Sequence, residues 1–381
     1  MSPLRIGVEA TSLIGPRSGV GYTTSSIVEA LVTLDEGVEI TLFPISLRRG
    51  GRVKHALPPH PRIKVARARM PGRVAAAVWS RVEWPPAELF CGSLDVFWGP
   101  NFVLPPLVKA AGVVTVHDLA FVKVPETCSE AVMRYNQTVP AMVQRANRII
   151  TPSRFVADEL AEWLPDEAGR IRVVHPGIRR AFRERGGPLT EPRRDALGIR
   201  APYAVFVGNL ELRKNVDVLF GAFEQVLALH PRAQLVVVGA PSVGWDAISA
   251  RHAKLLAGDA VRVVGYLPDP EVAAIVRGAS VFVYPSRYEG FGIPPLEAMA
   301  AGTPVIAAKT SALPEALGEH ARFVHPDDVD AIASAIGDHL EAGADQHTIE
   351  AARRWAADFT WARSAATTLE VFGEAMTEVA A

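Results

Sequence analysis

The chain has 381 residues, a length that predicts two domains. Hydrophobic residues make up 49% of it, charged residues 21%, and the net charge is −1, which is the balance of a soluble globular protein. No apolar run approaches the roughly 20 residues of a membrane-spanning helix. The two cysteines, Cys91 and Cys128, form no metal-binding pattern, and MSPLRIGVEATSLIG lacks the apolar stretch of a signal peptide. We therefore expect a reducing, cytoplasmic location.

The charge is distributed unevenly along the chain. Residues 1–185 carry 24 Lys and Arg against 17 Asp and Glu, a net of +7, and the remainder carries −8. No acid lies between Glu39 and Glu83, a stretch that we call the basic segment. Its cations are Arg48, Arg49, Arg52, Lys54, Arg62, Lys64, Arg67, Arg69, Arg73 and Arg81. Such a run is most often a solvated loop, and the alternative is attraction to an anionic surface, phospholipid or nucleic acid.

Short β-rich runs alternate with helical patterns in chain order. The runs are LRIGVEA, VEITLFPI, LDVFWGP, GVVTVHD, NRIITPS and IRVVHPG in the first half, and YAVFVGN, AQLVVVGA, VRVVGYL, SVFVYPS, PVIAAK and ARFVHP in the second. Apolar strands alternating with helices predict an α/β fold with two doubly wound, Rossmann-like parallel sheets.

The polar stretch 183–202, with its glycines and prolines, predicts the domain boundary. We expect an N-terminal domain over 1–185 and a C-terminal domain over 186–360. The last segment predicts two helices that meet at Phe359-Thr360, and the second, about 361–381, is expected to pack back on the N-terminal domain.

Ligands bind at the carboxyl ends of parallel strands, so the loops after the strands are the candidate sites. In SLIGPRSGVGYTT, Gly15, Gly19 and Gly21 lie between a strand and a helix. Their spacing matches neither a dinucleotide fingerprint nor a P-loop, although a glycine loop at a helix start can still meet a phosphate. His117 and Asp118 end another strand. A lone histidine is more often structural, but these two are expected at the carboxyl edge of the sheet.

Two cations follow the first strand of the second half. The strand ends at Gly208, and Arg213 and Lys214 precede a helix with an apolar face. Most such pairs are simply solvated. Two cations on a strand-end loop at a helix start are nevertheless typical of a diphosphate site.

The stretch SRYEGFGIPPLEAMAAGTPV holds Glu289 and Glu297, eight positions apart, around Gly290 and Gly292. If Pro295 occupies the first helical position, Glu297 lies in the first helical turn. The glycines allow close approach of the backbone to a ligand, and a carboxylate accepts hydrogen bonds from two adjacent hydroxyls. Helix capping would explain Glu297 alone, whereas the pair around a glycine loop favours a sugar or ribose site.

These motifs, in this order, resemble the retaining glycosyltransferases of the large GT-B family four, which includes many bacterial mannosyltransferases. The resemblance covers nearly the whole chain and is strongest in GNLELRKN, GYLPDPEV and the stretch with the two glutamates, which match the family's E-x7-E pattern. It implies two Rossmann-like domains facing a cleft. It also implies transfer of a hexose to a glycan or lipid-linked acceptor with retention of the anomeric configuration. The donor that the resemblance favours is GDP-mannose, and the sugar is mannose. The alternative is a sugar-nucleotide epimerase or hydrolase on the same scaffold. The resemblance implies no metal, no other cofactor and no nucleic acid partner.

The resemblance also implies roles for individual residues. Arg213 and Lys214 match the pair that neutralises the donor diphosphate, Glu289 the contact to the donor sugar, and Glu297 the contact to the ribose hydroxyls. The expected catalytic set consists of Arg213, Lys214, Glu289 and His117, the last of which the resemblance places near the donor sugar. The other donor-binding positions are Gly208, Gly265, Tyr266, Leu267, Gly290, Phe291 and Gly292. The acceptor and phosphate loop positions are Gly19, Gly21, Tyr22 and Asp118.

The basic segment lies in the domain that the resemblance assigns to the acceptor. GRVAAAVWSRVEW adds Val74, Val78, Trp79 and Val82 at near-helical spacing. A basic, partly amphipathic surface would rest on anionic lipid at the inner face of the membrane and present a lipid-linked acceptor. The alternative is that Trp79 and its neighbours belong to the core.

Overall fold

A computed structural model describes residues 3–15, 19–46, 50–66, 78–79, 82–343 and 345–380. The chain forms two compact units. The first comprises Met1–Val122, Glu130–Gly177 and Thr360–Ala381, and the second Lys123–Ser129 and Ile178–Phe359. The chain passes from the first unit into the second after Gly177, because Ile178 and Phe182 are buried in the core of the second unit. This boundary lies earlier than the stretch 183–202 that the sequence indicates.

The first unit contains a seven-stranded parallel sheet in the order β3-β2-β1-β4-β5-β6-β7. Its strands are β1 Leu4–Glu9, β2 Val38–Phe43, β3 Ile63–Val65, β4 Val96–Gly99, β5 Ala111–Thr115, β6 Arg148–Thr151 and β7 Ile171–Val173. The sequence predicts all of these except β3, a short, half-exposed edge strand inside the basic segment. Because Ile6 of β1 pairs with Ile40 of β2 on one side and Val96 of β4 on the other, the strand order reverses between β1 and β4.

The second unit contains a six-stranded parallel sheet in the order β10-β9-β8-β11-β12-β13. Its strands, all predicted from the sequence, are β8 Tyr203–Val207, β9 Gln234–Val238, β10 Val261–Gly265, β11 Val281–Tyr284, β12 Val305–Ala308 and β13 Arg322–Val324. This is the Rossmann strand order, which reverses between β8 and β11. The prediction of two doubly wound parallel sheets is confirmed.

Helices connect the strands and cover both faces of each sheet. In the described part of the chain they are α1 Gly19–Leu34, α2 Glu88–Cys91, α3 Ala120–Lys123, α4 Glu130–Met133, α5 Tyr135–Arg145, α6 Arg154–Trp163, α7 Arg180–Arg183, α8 Glu191–Ala196, α9 Val216–Leu229, α10 Trp245–Arg251, α11 Ala253–Leu256, α12 Asp269–Gly278, α13 Ile293–Ala301, α14 Leu313–Leu317, α15 Val329–Ala342, α16 Gln346–Ala357 and α17 Trp361–Ala380. None of these helices combines the length and apolar character that crossing a bilayer needs.

The C-terminal helix α17 packs in the first unit beside α1. Its Val371 and Phe372 are buried in one core with Ile27 and Leu31 of α1. Those two α1 residues are spaced i, i+4, which places them on one helical face. The last helix of the chain thus completes the hydrophobic layer on one side of the first sheet.

Six of the ten cations of the basic segment, Arg48, Arg49, Arg67, Arg69, Arg73 and Arg81, lie outside the described residues, as do Val74 and the side chain of Arg52. Two other cations have intramolecular partners. Arg62 donates to the carbonyl oxygens of Asp35 and Val32, both at 2.6 Å, and Lys64 pairs with Glu39 at 3.3 Å.

Trp79 is fully buried in the core. Its ring lies 6.5 Å from that of Phe43, centroid to centroid. The prediction of a membrane-facing Trp79 is therefore wrong, because an indole packed in the core cannot also lie in a bilayer interface. The alternative, that Trp79 belongs to the core, is confirmed.

Candidate functional site

Three charged residues meet where the strand order of the second sheet reverses. Arg213 and Lys214 lie in a 3-10 turn, Leu212–Lys214, after β8, and Glu289 follows β11. Lys214 Nζ lies 2.5 Å from Glu289 Oε1, and Arg213 Nη1 lies 3.5 Å from Glu289 Oε2. Doubly wound sheets bind ligands outside the carboxyl ends of their strands at this reversal. The cluster of Arg213, Lys214 and Glu289 is therefore the candidate site.

The carboxylate of Glu289 is buried and firmly held. Ser286 Oγ donates to its Oε1 at 2.6 Å, and its main-chain N–H donates to Ser311 Oγ at 2.9 Å. Burial alone would raise the pKa of Glu289, but the charges of Lys214 and Arg213 outweigh it and hold the pKa at about 2. Glu289 is thus ionised at neutral pH, where it accepts hydrogen bonds and carries no proton to donate.

Lys214 bridges Tyr284, the last residue of β11, and Glu289 in the loop after that strand. Its Nζ donates to Glu289 and, at 2.6 Å, to the hydroxyl oxygen of Tyr284. An ammonium has three N–H donors, so within the described residues Lys214 keeps one beyond these two hydrogen bonds.

Asn215 fixes the turn that carries the two cations, a role the sequence does not predict. It has φ +58°, in the left-handed region that asparagine tolerates better than most residues. Its buried Nδ2 donates to the carbonyl oxygens of Pro285, at 3.1 Å, and Pro326, at 2.6 Å. The loop after β8 is thereby tied to the loop after β11. The available signal is an asparagine directly after the two cations and before a helix.

Glycines form the neighbouring edge of the sheet. Gly208 follows β8 and Gly265 ends β10, and between them a Cβ on Gly239 would lie 1.9 Å from the carbonyl oxygen of Gly208. This part of the edge is therefore bare backbone. Tyr266, the next residue, is 67% exposed, and its hydroxyl donates to Asn209 Oδ1 at 3.2 Å. The predicted base-binding positions Gly265, Tyr266 and the half-buried Leu267 thus lie on this edge.

The loop Gly290–Gly292 is buried and leads into α13. Gly292 has φ +110°, and a Cβ there would lie 2.6 Å from Leu313 Cδ2, so only glycine fits. Because α13 begins at Ile293, Glu297 lies in its second turn. The prediction of a first-turn Glu297 is wrong, since the left-handed Gly292 starts the helix ahead of Pro295.

Glu297 belongs to a second ionic cluster. Arg179 binds both of its oxygens, with Nε 2.6 Å from Oε1 and Nη2 2.6 Å from Oε2, and its main-chain N–H donates to Oε1 at 3.2 Å. Nη1 of Arg179 donates to Asp269 Oδ1 at 2.7 Å. The sequence does not predict Arg179 or Asp269 as site residues, because neither stands in a motif with Glu297.

The residues predicted in the first unit lie near the carboxyl edge of the first sheet. His117 Nε2 lies 2.6 Å from the carbonyl oxygen of Pro100, which can only accept, so Nε2 carries the proton and Nδ1 is an acceptor. Burial lowers the pKa of His117, which keeps the ring neutral. Asp118 Oδ1 accepts from the N–H of Ala120 at 3.1 Å and so caps the start of α3.

The predicted glycine loop leads into α1. Gly19, Gly21 and Tyr22 lie in the first turn of the helix, and the ring of Tyr22 is 6.4 Å from that of Trp361 in the same unit. Residues 16–18, which complete the loop, lie outside the described residues. Its role at a phosphate or acceptor stays a prediction.

Glu9 is a buried acid that the sequence does not predict. It ends β1, at the strand reversal of the first sheet, is 2% exposed, and accepts from the N–H of Thr11 at 2.8 Å. Burial raises its pKa to about 7. Phe102, a non-glycine residue at φ +59°, lies 4.8 Å from the ring of Tyr135, whose pKa is raised by burial and by Glu9. A buried acid with a raised pKa and a strained backbone are each typical of functional sites.

Two Rossmann-type sheets, the second with paired cations and a carboxylate at its reversal, place this chain among the doubly wound α/β proteins, whose ligand sites lie at such reversals. Two family models match the chain: Glycosyltransferase Family 4 over residues 17–182 and Glycosyl transferases group 1 over residues 191–355. The chain belongs to the GT-B glycosyltransferases of the family 4 type, as the sequence resemblance predicts.

Relatives with curated names are similar over part of their length. O-antigen chain mannosyltransferase B of Escherichia coli is 31% identical over 250 residues, 65% of this chain and 65% of that protein. D-inositol 3-phosphate glycosyltransferase of Acidothermus cellulolyticus is 32% identical over 247 residues, 62% of this chain and 55% of that protein. The chain thus spans less than two thirds of the relatives it matches.

Solved structures share the fold over nearly the whole chain. Sucrose-phosphate synthase from Thermosynechococcus elongatus has a TM-score of 0.73 at 21% identity and covers 98% of both chains. Anabaena HepE in complex with UDP and glucose has a TM-score of 0.69 at 16% identity and covers 97% of this chain and 99% of its own. These similarities confirm the GT-B fold.

Proposed function

We propose that the protein is a retaining glycosyltransferase that moves a hexose, mannose from GDP-mannose, to a glycan or lipid-linked acceptor. The observation that carries the proposal is the cluster of Arg213, Lys214 and Glu289 at the strand reversal of the second sheet. The mannosyltransferase among the relatives supports the choice of mannose. The relatives named above are transferases and a synthase, so the epimerase or hydrolase alternative is not favoured.

Arg213 and Lys214 supply the positive charge that glycosyl transfer requires. When the bond from the sugar to the diphosphate breaks, negative charge grows on the leaving phosphate. The remaining N–H donor of Lys214 and the guanidinium of Arg213 would oppose that charge from fixed positions, which needs little reorganisation. We propose that these two cations act in place of a metal ion.

Glu289 is suited to hold the hydroxyls of the transferred sugar. It is ionised, buried and fixed by Ser286 and Lys214. An acid with a pKa of about 2 cannot serve as a general acid near neutral pH. Glu289 thus has a positioning role, which is consistent with a front-face reaction that retains the anomeric configuration.

The glycosyl acceptor is assigned to the first unit, as the family resemblance implies. Neutral His117, which the resemblance places near the donor sugar, offers Nδ1 to a hydroxyl group. A cytoplasmic location with peripheral contact at the inner membrane face belongs to the same proposal. The exposed Val82, which ends the basic segment, and the exposed Trp84, two residues later, support this contact. Co-sedimentation with anionic vesicles at low and high salt tests the contact, and no binding at low salt would exclude it.

A thermal-shift screen with GDP, UDP, ADP and dTDP, each alone and as a sugar conjugate, tests the function. A ligand at 100 times its dissociation constant adds about 2.7 kcal/mol to the free energy of unfolding. We expect GDP and GDP-mannose to raise the melting temperature most. Transfer is then measured with the best donor and a panel of glycoside acceptors, with and without EDTA, and the anomer is assigned by NMR. An inverted product, loss of activity with EDTA, or donor hydrolysis without any acceptor requirement would each contradict a part of the proposal.

A further inference from the structure

Arg179 joins two parts of the candidate donor site through one guanidinium group. Its Nε and Nη2 bind the two oxygens of Glu297 side by side, and its Nη1 binds Asp269. Asp269 is the first residue of α12 and follows directly on the loop that contains Gly265 and Leu267. A two-point contact between guanidinium and carboxylate fixes orientation as well as distance. Arg179 therefore sets the position of α13 relative to the loop before α12.

Burial makes Glu297 dependent on this arginine. The side chain of Glu297 is 1% exposed and that of Arg179 is 18% exposed. Burial raises the pKa of Glu297 and Arg179 opposes that rise, while Asp269 adds to it. Burial alone would lower the pKa of Arg179, but the two carboxylates raise it. Removing one partner of a buried ion pair leaves an uncompensated charge, which a carboxylate escapes by taking up a proton.

The hydrogen bonds to Glu297 leave part of its acceptor capacity unused. Within the described residues it accepts three, all from Arg179: two at Oε1 and one at Oε2. An ionised carboxylate offers about four acceptor positions, so one remains, on Oε2. A protonated carboxyl group would lose acceptor capacity there.

We propose that Arg179 is the positioning residue of the ribose end of the donor site: it keeps Glu297 ionised and oriented to accept a ribose hydroxyl, and it ties Glu297 to the loop before α12. This inference rests on the proposed function, in which Glu297 meets the ribose. Arg213 and Lys214 bind the diphosphate in that function, and they pair with Glu289, whereas Arg179 pairs with Glu297 and Asp269.

Isothermal titration calorimetry with GDP, UDP and inorganic pyrophosphate separates the two ends of the site. The variants are Arg179→Met, Arg179→Lys and, as a matched control, Arg180→Met, because Arg180 is a neighbouring arginine whose side chain is 89% exposed. We expect Arg179→Met to weaken GDP and UDP binding about tenfold at pH 6.5, which requires roughly nine tenths of the variant's Glu297 to be protonated at that pH. Pyrophosphate binding is unchanged, Arg179→Lys restores most of the nucleotide affinity, and Arg180→Met binds as the wild type.

The pH dependence distinguishes positioning from a general loss of structure. Because Glu297 in Arg179→Met must lose a proton before it can accept from ribose, the ratio of variant to wild-type dissociation constants should fall toward 1 between pH 6.5 and pH 9. Taking the ratio at each pH removes the titration of the nucleotide itself. A constant ratio, an equal loss of pyrophosphate binding, or wild-type nucleotide affinity in Arg179→Met overturns the inference.

Two further outcomes concern the proposed function and are read separately. Wild-type protein that binds neither nucleotide nor pyrophosphate overturns the function and the inference together. Glu297→Gln with wild-type nucleotide affinity overturns the ribose role of Glu297 and with it the role of Arg179, while the diphosphate site stands. If Arg179→Met does not fold, Arg179→Gln takes its place, and the same loss of nucleotide binding at pH 6.5 with pyrophosphate unchanged is expected. Unchanged nucleotide binding in that variant counts against the inference.

Discussion

The side-chain amide of Asn215 donates to the carbonyl oxygen of Pro326 at 2.6 Å, and so ties the turn after β8 to the loop after β13. The same amide reaches Pro285 after β11. One buried side chain thus holds three strand-end loops of the second sheet in a fixed relation. Arg213 and Lys214 immediately precede it, so the geometry of the cationic turn depends on this residue.

Asn215→Gly and Asn215→Ala separate the two contributions of this residue. Glycine keeps the left-handed backbone and loses the amide, whereas alanine loses both. We expect Asn215→Gly to cost about 1–3 kcal/mol of unfolding free energy, because two buried carbonyl groups lose their donor. Asn215→Ala should cost more, by about 1 kcal/mol. Urea unfolding of the pair measures this, and equal stability of both variants would show that the backbone conformation is unstrained.

The sequence predicts the sheets better than the site. A long apolar run such as AQLVVVGA predicts a buried strand of a parallel sheet. Strand β3 is not predicted, because its three half-exposed residues form no apolar run. The cluster of Arg213, Lys214 and Glu289 can be predicted because each residue lies in the loop that follows an apolar strand. Arg179 and Glu9 cannot, since their importance depends on which side chains lie against them after folding. The sequence places Glu297 one turn too early, because it does not reveal the left-handed conformation of Gly292 that starts the helix.

Lys214→Met should lower kcat by about 100-fold or more, since a developing charge on the leaving phosphate loses a fixed cation. The loss of unfolding free energy should be smaller than the loss of transition-state stabilisation, although Glu289 is left with a single cation and its pKa rises from about 2. Steady-state kinetics with the best donor, beside thermal unfolding, measures both. A rise in KM with kcat unchanged would mean that Lys214 binds the ground state and transition state equally.

Glu9→Gln should stabilise the protein at alkaline pH. Because burial raises the pKa of Glu9 from 4.5 to about 7, the wild type is penalised as pH rises through that range and unpenalised below 4.5. The gain in Glu9→Gln at pH 8.5 is up to about 3 kcal/mol, and at pH 4.5 it is near zero. Glutamine keeps an oxygen for the N–H of Thr11. Urea unfolding at the two pH values checks this, and a pH-independent difference would show that Glu9 titrates normally.

The attachment of α17 should depend on burial and not on its ion pairs. Glu374 accepts from Arg148 Nε at 3.0 Å and from Arg172 Nε at 2.8 Å, but its side chain is 41% exposed. Exposed ion pairs contribute about 0–1 kcal/mol, whereas truncating a buried phenylalanine costs about 3–5 kcal/mol. Phe372 is fully buried beside Trp98, with ring centroids 6.2 Å apart. Phe372→Ala should therefore cost several times more unfolding free energy than Glu374→Gln, and raising the salt concentration should shrink only the effect at Glu374. Equal costs for the two variants, measured by urea unfolding at low and high salt, would place the anchor of α17 in its charges.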